Sequence, residues 1–319
     1  MIKRRAAFAL LATPAVAQAQ SFPARSIRLV IPFTAGGSND IVGRILAEAM
    51  AARLGQPIVI ENRGGAGGLL GNDVVAKAQP DGYTILLAGS GSFVISSLTV
   101  PRVPYDVVNG FAAIGGVGAG PNVIAVNPSV PVTNLAELRD YARAHAPITF
   151  GTPGAGTTAH ALGAMIALTL DFPIDFIHYR GTAPALTDVV AGRVQMITNA
   201  AAPFLPFLSS GGLRALAIAG RQRASILPDL STSVEQGFPE IDSATWYGLL
   251  APAGTPQEPI TRLHAAMNAA LEDAGVRARM VENGVEIETS PTPGDFAKFL
   301  VTERERWGVV VRRANLRAE

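Results

Sequence analysis

The stretch Pro32-Phe33-Thr34-Ala35-Gly36-Gly37-Ser38-Asn39-Asp40 joins a β-rich run, residues 27–31, to a segment with helical periodicity. Its two glycines allow positive φ angles and leave peptide N–H groups uncovered. The free N–H groups at a helix N-terminus together carry about half a positive charge. The stretch therefore predicts a strand–turn–helix unit whose turn accommodates an anion such as a carboxylate or a phosphate.

A second stretch of the same kind, Gly151-Thr152-Pro153-Gly154-Ala155-Gly156-Thr157-Thr158, also leads from a predicted strand into a predicted helix. One such turn is more often only a tight connection, but two matched turns favour a single anion site built from both. His160, in the first turn of the second helix, could face the ligand or serve in capping or packing. The candidate binding residues in the two turns are Phe33, Ala35, Gly37, Ser38, Asn39, Asp40, Gly154, Gly156, Thr157, Thr158 and His160.

The second turn also matches a dinucleotide-binding fingerprint, since Gly154, Gly156 and Ala159 have its spacing. The acidic residue expected about 20 positions later would be Asp171 or Asp175, and neither ends the next predicted strand. No Gly-x-Ser-x-Gly, GxxxxGK[ST] or HExxH motif occurs, the four histidines are scattered, and there are no cysteines. We therefore expect no catalytic residues, no metal site, no NAD and no other cofactor.

Strands and helices alternate along the chain, which is typical of an α/β fold with parallel strands. The strand–turn–helix pattern begins near residues 27 and 148, and 319 residues suffice for two domains. The last sixty residues have helical patterns at 259–274, 276–283 and 293–313. With 26 Lys and Arg against 25 Asp and Glu, the charge is balanced, which argues against a nucleic-acid partner.

Residues 1–20 have the pattern of a signal peptide. Lys3, Arg4 and Arg5 precede an apolar stretch, 6–17, that is too short to span a membrane, and small residues at 15, 17 and 19 fit a cleavage site near 17–20. We expect export to the periplasm, by the general or the twin-arginine route, and a soluble mature chain, since no later run of 18 apolar residues exists.

Taken together, the motifs resemble those of the periplasmic solute-binding receptors of the tripartite tricarboxylate transporter family, also called Bug receptors. Beyond the two turns, the shared motifs are Val59-Ile60-Glu61-Asn62-Arg63, Gly64–Gly68, Pro80-Asp81-Gly82-Tyr83, Tyr179-Arg180-Gly181, Ala183–Asp188, Leu213–Ala217 and Gly248–Pro256. The resemblance implies a two-lobed periplasmic binding protein fold, type II-like, with two crossing strands. It also implies that the ligand lies in a cleft between the lobes, with a carboxylate between the two turns.

The resemblance also gives the expected domain limits. Lobe one would comprise 22–120 plus 250–319 and lobe two 121–249, with the strands near Gly120–Val123 and Leu249–Ala251 crossing between them. Binding would close the lobes by a hinge motion. The receptor would be a monomer that docks on a membrane permease. Alternatively, it would present its ligand state to a membrane sensor kinase, and a rival of another class is an exported hydrolase with an unrecognised site.

Ser90, Arg180 and Asn199 lie at other predicted strand ends and are candidates for the far end of the ligand. Arg180 alone of these is charged, and it could hold a second carboxylate or form a surface ion pair. The family often has acidic residues where this chain has Gln195 and Asn199, which favours a di- or tricarboxylate or an aromatic acid over an amino acid. Asp188 could pair with Arg193 or meet a ligand amine, and Trp246 and Tyr247 could stack on the ligand or belong to the core.

Overall fold

The computed structural model describes residues 22–318, so the predicted signal peptide lies outside the described residues. These residues form an α/β fold. The strands are β1 (Ile27–Ile31), β2 (Ile58–Asn62), β3 (Thr84–Gly89), β4 (Phe111–Val126), β5 (Ile148–Thr152), β6 (Ile174–His178), β7 (Met196–Ala200), β8 (Arg214–Ile218) and β9 (Ala244–Pro252). The helices are α1 (Ser38–Leu54), α2 (Leu69–Ala76), α3 (Ser96–Thr99), α4 (Leu135–His145), α5 (Thr158–Leu170), α6 (Thr182–Val190), α7 (Leu205–Ser209), α8 (Gln257–Glu272), α9 (Ala274–Glu282) and α10 (Pro293–Arg313).

The strands form two sheets that share β4. In the first sheet β1 lies between β2 and β3 and is parallel to both, and β9 pairs antiparallel with β3 and with β4. In the second, β5 lies parallel to β6 and β7, and β4 pairs antiparallel with β7 and β8. Each sheet carries the helices of one lobe. The predicted α/β fold with two lobes and two crossing strands is therefore confirmed.

β4 is the longer crossing strand, and the sequence pattern did not reveal its first ten residues. Its segment Phe111–Gly120 is rich in glycine and alanine, which obscures the alternation expected of a strand. Pairing with β9 fixes it as a strand, with register shifts between Ala113 and Gly115 and between Gly116 and Gly118. Pairing with β9 ends at Pro121 and pairing with β7 begins at Asn122, inside the predicted crossing.

β9 differs from the expectation in position. It starts at Ala244 and already pairs with β3 of the first sheet at Tyr247, so Leu249–Ala251 lies within that sheet and not at the crossing. The apolar run marks where a strand is, but which sheet it joins depends on its partners. Trp246 and Tyr247 are 5% and 1% exposed, and both pack in the cores of the molecule.

Each lobe has its own apolar core. In lobe one, Leu29 of β1, Leu46 of α1 and Leu263 of α8 are fully or almost fully buried together. In lobe two, Phe150 of β5 and Leu162 of α5 have the same role. The C-terminal helices α8, α9 and α10 occur where the periodicity predicted them. Within residues 22–318, no helix combines the length and the apolar character needed to cross a membrane.

Candidate functional site

The N-termini of α1 and α5 meet at one cavity between the lobes. α1 follows the turn after β1 and has Gly37 as its N-cap, without a side-chain cap, whereas Thr157 caps α5 by accepting from the His160 N–H. The cavity measures about 30 Å³, room for roughly two water molecules. It is lined by Phe33, Gly37, Ser38, Asn39, Gly89, Gly91, Ser92, Pro153, Thr157, Thr158, Ala159, Thr182, Asn199 and Thr245.

The lobes touch at the rim of this cavity. The Ser90 and Thr158 hydroxyl oxygens lie 2.9 Å apart, and the Ser38 hydroxyl donates to Asn199 Oδ1 at 3.5 Å. Asn199 Nδ2 donates in turn to Thr182 Oγ1 at 2.5 Å. The first two of these contacts join the two lobes beside the cavity.

The peptide N–H groups free to bind an anion differ from those expected. The Gly154 N–H donates to Thr152 Oγ1 at 3.2 Å and the Gly156 N–H to His160 Nδ1 at 3.1 Å, so both glycine amides are used inside their own turn. The first N–H groups of a helix have no intrahelical acceptor. At the cavity these belong to Ser38 and Asn39 on α1 and to Thr158 and Ala159 on α5.

Asp40 does not face the cavity. Its carboxylate accepts hydrogen bonds from the Gly36 N–H, from Arg44 at 2.9 and 3.0 Å and from Asn62 at 3.0 Å. Burial opposes ionisation, but these donors together hold the pKa of Asp40 below its ordinary value. Asp40 thus fixes the turn before α1, and Ala35 is exposed on the outside of the same turn.

His160 supports the second turn from behind and does not line the cavity. It is 5% exposed, and its ring packs against Phe176 at 4.6 Å and His178 at 4.8 Å between centroids. Burial, reinforced by the nearby His178, lowers the pKa of His160 to about 4. The neutral ring keeps Nδ1 as the acceptor for the Gly156 N–H, so His160 has the packing role and positions the turn.

This pKa predicts a loss of stability in mild acid. Between about pH 6.5 and 4 the unfolded chain binds a proton at His160 that the folded chain excludes. Stability present above pH 6.5 should therefore fall, by roughly 1 kcal/mol per pH unit, as the pH drops through this window. His160→Gln, which keeps an acceptor but does not titrate, should flatten the dependence in urea unfolding between pH 4.5 and 7.5. Burial also lowers the pKa of His178, so some slope should remain. Equal slopes for the two proteins would contradict the prediction.

A second cavity of about 200 Å³ adjoins the first and shares Phe33 and Pro153 with it. We call it the outer cavity. Its wall includes His178, Tyr179 and Arg180 from lobe two and the glycine-rich segment 65–68 from lobe one. Arg180 is exposed and forms none of the ion pairs found within residues 22–318, contrary to the ion-pair alternative.

Two other polar residues have structural partners instead. Asp188 pairs with Arg193 and accepts from the Tyr179 hydroxyl at 2.7 Å, as in the first of the alternatives given for it. Gln195 accepts from the Thr149 N–H at 2.9 Å and does not line the cavity, so its identity cannot affect the ligand directly. Of Gln195 and Asn199, only Asn199 lines the cavity.

Sequence reasoning missed several lining residues, chiefly Ser92, Pro153, Thr182 and Thr245. Ser92 follows β3 in the run Gly89-Ser90-Gly91-Ser92, and polar residues after a buried strand were the available signal. Ser92 Oγ and Asn39 Nδ2 are buried and have no hydrogen-bond partner among the described residues. A buried donor without a partner costs about 1–3 kcal/mol, so both are suited to bind a polar ligand.

The chain is similar to known proteins over nearly its whole length. A family model described as "Tripartite tricarboxylate transporter family receptor" matches residues 42–316. Protein BugT of Bordetella pertussis is 34% identical over 296 residues, which are 92% of this chain and 90% of that protein. The structure of Rpa4515 from R. palustris with adipate superposes with a TM-score of 0.90 at 31% identity, covering 93% of this chain and 99% of that one. For MatC from Rhodopseudomonas palustris with bound malate, the TM-score is 0.86 at 31% identity, with 91% and 100% covered.

Proposed function

Because the chain belongs to the receptor family of the tripartite tricarboxylate transporters, we propose that it binds a small organic carboxylate between its lobes and delivers it to a membrane permease. This is a family of solute-binding receptors and not of enzymes, in keeping with the absence of catalytic motifs from the sequence. The fold is the two-lobed fold of periplasmic binding proteins.

One observation carries the choice of ligand class: two helix N-termini, from different lobes, converge on a cavity that no Lys, Arg or His side chain among residues 22–318 lines. Backbone N–H groups and helix dipoles attract a carboxylate without a cation. The buried donors of Asn39 and Ser92 add hydrogen bonds. Malate and adipate, bound in the two similar structures, are both dicarboxylates.

A thermal-shift screen with mono-, di- and tricarboxylates and with amino acids tests this proposal. A ligand at 100 times its Kd adds about 2.7 kcal/mol to the stability of the folded state, which raises Tm measurably. Stabilisation by carboxylates supports the proposal. Stabilisation only by uncharged solutes, or turnover of carboxylate esters, would contradict it, and the second result would favour the hydrolase alternative.

We further propose that the receptor acts in the periplasm as a monomer after cleavage near residues 17–20. The charged start and small residues of segment 1–20 and the family's transport role support this location. Mass spectrometry of a periplasmic extract gives the mature N-terminus, and an intact Met1 in the cytoplasmic fraction would contradict it. Deleting the gene should abolish uptake of the ligand, whereas loss of a ligand-dependent transcriptional response alone would favour the sensor-kinase partner.

Arg180 is proposed to hold the second carboxylate of a dicarboxylate in the outer cavity. Phe33 and Pro153 separate it from the helix N-termini, so an extended ligand passing between them would reach both. Arg180→Ala should weaken a dicarboxylate such as adipate about tenfold or more and leave hexanoate, of equal length, nearly unchanged. Isothermal titration of both ligands against both proteins measures this, with Arg262→Ala, at an exposed position of α8, as control. Equal losses for the two ligands would contradict it.

A further inference from the structure

Several glycines lie where the two lobes meet, and some have conformations that any residue could adopt. Gly156 has φ +72° and Gly67 has φ +63°, so their backbones require glycine. Gly181, with φ 164° and ψ 176°, is extended. Gly91 does not have a left-handed backbone conformation either. At these two positions glycine therefore matters for the space that a Cβ would occupy, and not for its backbone conformation.

At Gly181 that space is occupied by a side chain of the opposite lobe. Gly181 precedes α6 in lobe two, and a Cβ built on it would overlap Thr34 Oγ1 in the turn before α1 of lobe one. It would also lie 3.2 Å from Thr34 Cβ. Apart from the chain neighbours of Gly181, the three nearest atoms of the described residues all belong to Thr34, so the overlap exists only while the lobes are together.

At Gly91, in lobe one, the space of the missing Cβ is likewise bounded by a residue of the other lobe. It follows β3 in lobe one, and a Cβ there would lie 2.7 Å from the Thr158 nitrogen and 2.9 Å from Thr158 Oγ1 at the start of α5 in lobe two. The nitrogen is rigid backbone and one of the free amides of the site. The two lobes thus approach each other at two glycines, one from each lobe. Gly91 lines the cavity at the helix N-termini, and Gly181 precedes Thr182, which lines it too.

We propose that Gly181 and Gly91 are positioning residues for binding: their missing Cβ atoms let the lobes come close enough to bring the α1 and α5 N-termini onto one carboxylate. The inference rests on the proposed function for the ligand, but closure itself can be measured without one. A methyl group at Gly181 would hold the lobes apart and widen the cavity beyond 30 Å³, while each lobe folds unchanged.

The absence of cysteine allows a cross-linking test of closure. Ser90→Cys with Thr158→Cys places two thiols where the hydroxyl oxygens lie 2.9 Å apart, so a disulfide forms only when the lobes close. In this background Gly181→Ala should slow oxidation by copper–phenanthroline about tenfold, because overpacking opposes the closed form. Adding Thr34→Ala removes the overlapping hydroxyl and should restore the rate. Gly294→Ala, whose Cβ would meet only Thr292 Oγ1 at 3.6 Å, should have no effect.

Cross-linking tests the role of the glycines without a ligand, and a titration with adipate tests carboxylate binding. Failure of this proposal and failure of the proposed function are therefore distinguishable. Slower cross-linking in Gly181→Ala, rescued by Thr34→Ala, supports the role of the glycine even if adipate does not bind. An unchanged cross-linking rate in Gly181→Ala would overturn the proposal. A slower rate that the added Thr34→Ala does not restore would also overturn it. Failure of the parent double-cysteine protein to cross-link would also overturn it, since the lobes would then not close along these residues.

Discussion

Replacing Ser38 by proline is expected to weaken carboxylate binding by at least about tenfold while leaving the fold intact, because it removes one charge-assisted hydrogen bond. Ser38 is the first residue of α1, where the peptide N–H has no intrahelical acceptor and lies at the cavity. Proline at this position lacks that N–H and suits the helix start. The preceding Gly37, with φ −88° and ψ 172°, already has the extended conformation that proline requires of its neighbour.

Ser38→Ala is the matched control, because it keeps the peptide N–H and removes only the hydroxyl that reaches Asn199 Oδ1 at 3.5 Å. Isothermal titration with the carboxylate that gives the largest thermal shift measures both variants, and circular dichroism checks the helix content. If both lose affinity equally, the hydroxyl is the important group and the helix amide is not. Unchanged binding in Ser38→Pro would contradict the anion site at α1.

Glu303→Ala should destabilise the folded protein by about 3–5 kcal/mol and lower Tm by about 6–10 °C. The side chain of Glu303, in α10, is 8% exposed and accepts hydrogen bonds from the indole N–H groups of Trp246 at 2.9 Å and Trp307 at 3.0 Å. Arg306 donates to its other oxygen at 3.2 Å. Truncation would leave two buried indole donors without acceptors and remove the hydrogen bond that links α10 to Trp246 of β9.

Two variants separate this role from a general loss of charge. Glu305→Ala removes an exposed carboxylate from the same helix and should change Tm little, while Glu303→Gln keeps an acceptor and should lie between the two. Trp246 and Trp307 are the chain's only tryptophans, so the emission of Glu303→Ala should also shift as both indoles lose their partner. A Tm within 2 °C of the parent would contradict the prediction.

The pattern along the chain predicted the α/β class, both strand–turn–helix units and the C-terminal helices. These features depend on local spacing, since apolar periodicity and glycine turns act over a few residues. The first ten residues of β4 were missed because alanine and glycine have little strand preference of their own. There, pairing with β9 over the length of the strand outweighs local propensity.

In the candidate site, too, some residues are predicted by local spacing and the role of others depends on the tertiary structure. Strand ends and helix starts meet at one edge of a sheet, so local spacing could predict part of the cavity wall. The predicted residues that line the cavity are Phe33, Gly37, Ser38, Asn39, Thr157, Thr158 and Asn199. Asp40, Gly154, Gly156 and His160 belong to the same motifs but have partners inside their own turns. Spacing places a residue in a turn, but it does not say whether its donor is already used.

By itself, the sequence determined that two turns, each rich in glycine and followed by a helix, would present N–H groups to an anion, because that property is local to each turn. Only the tertiary structure decided that the helix amides after Gly37 and Thr157, and not the glycine amides, are free. It also decided that Thr34 would face Gly181 and that Arg180 would line a separate cavity. These relations join residues more than 100 positions apart, and they exist only because two crossing strands bring the lobes together.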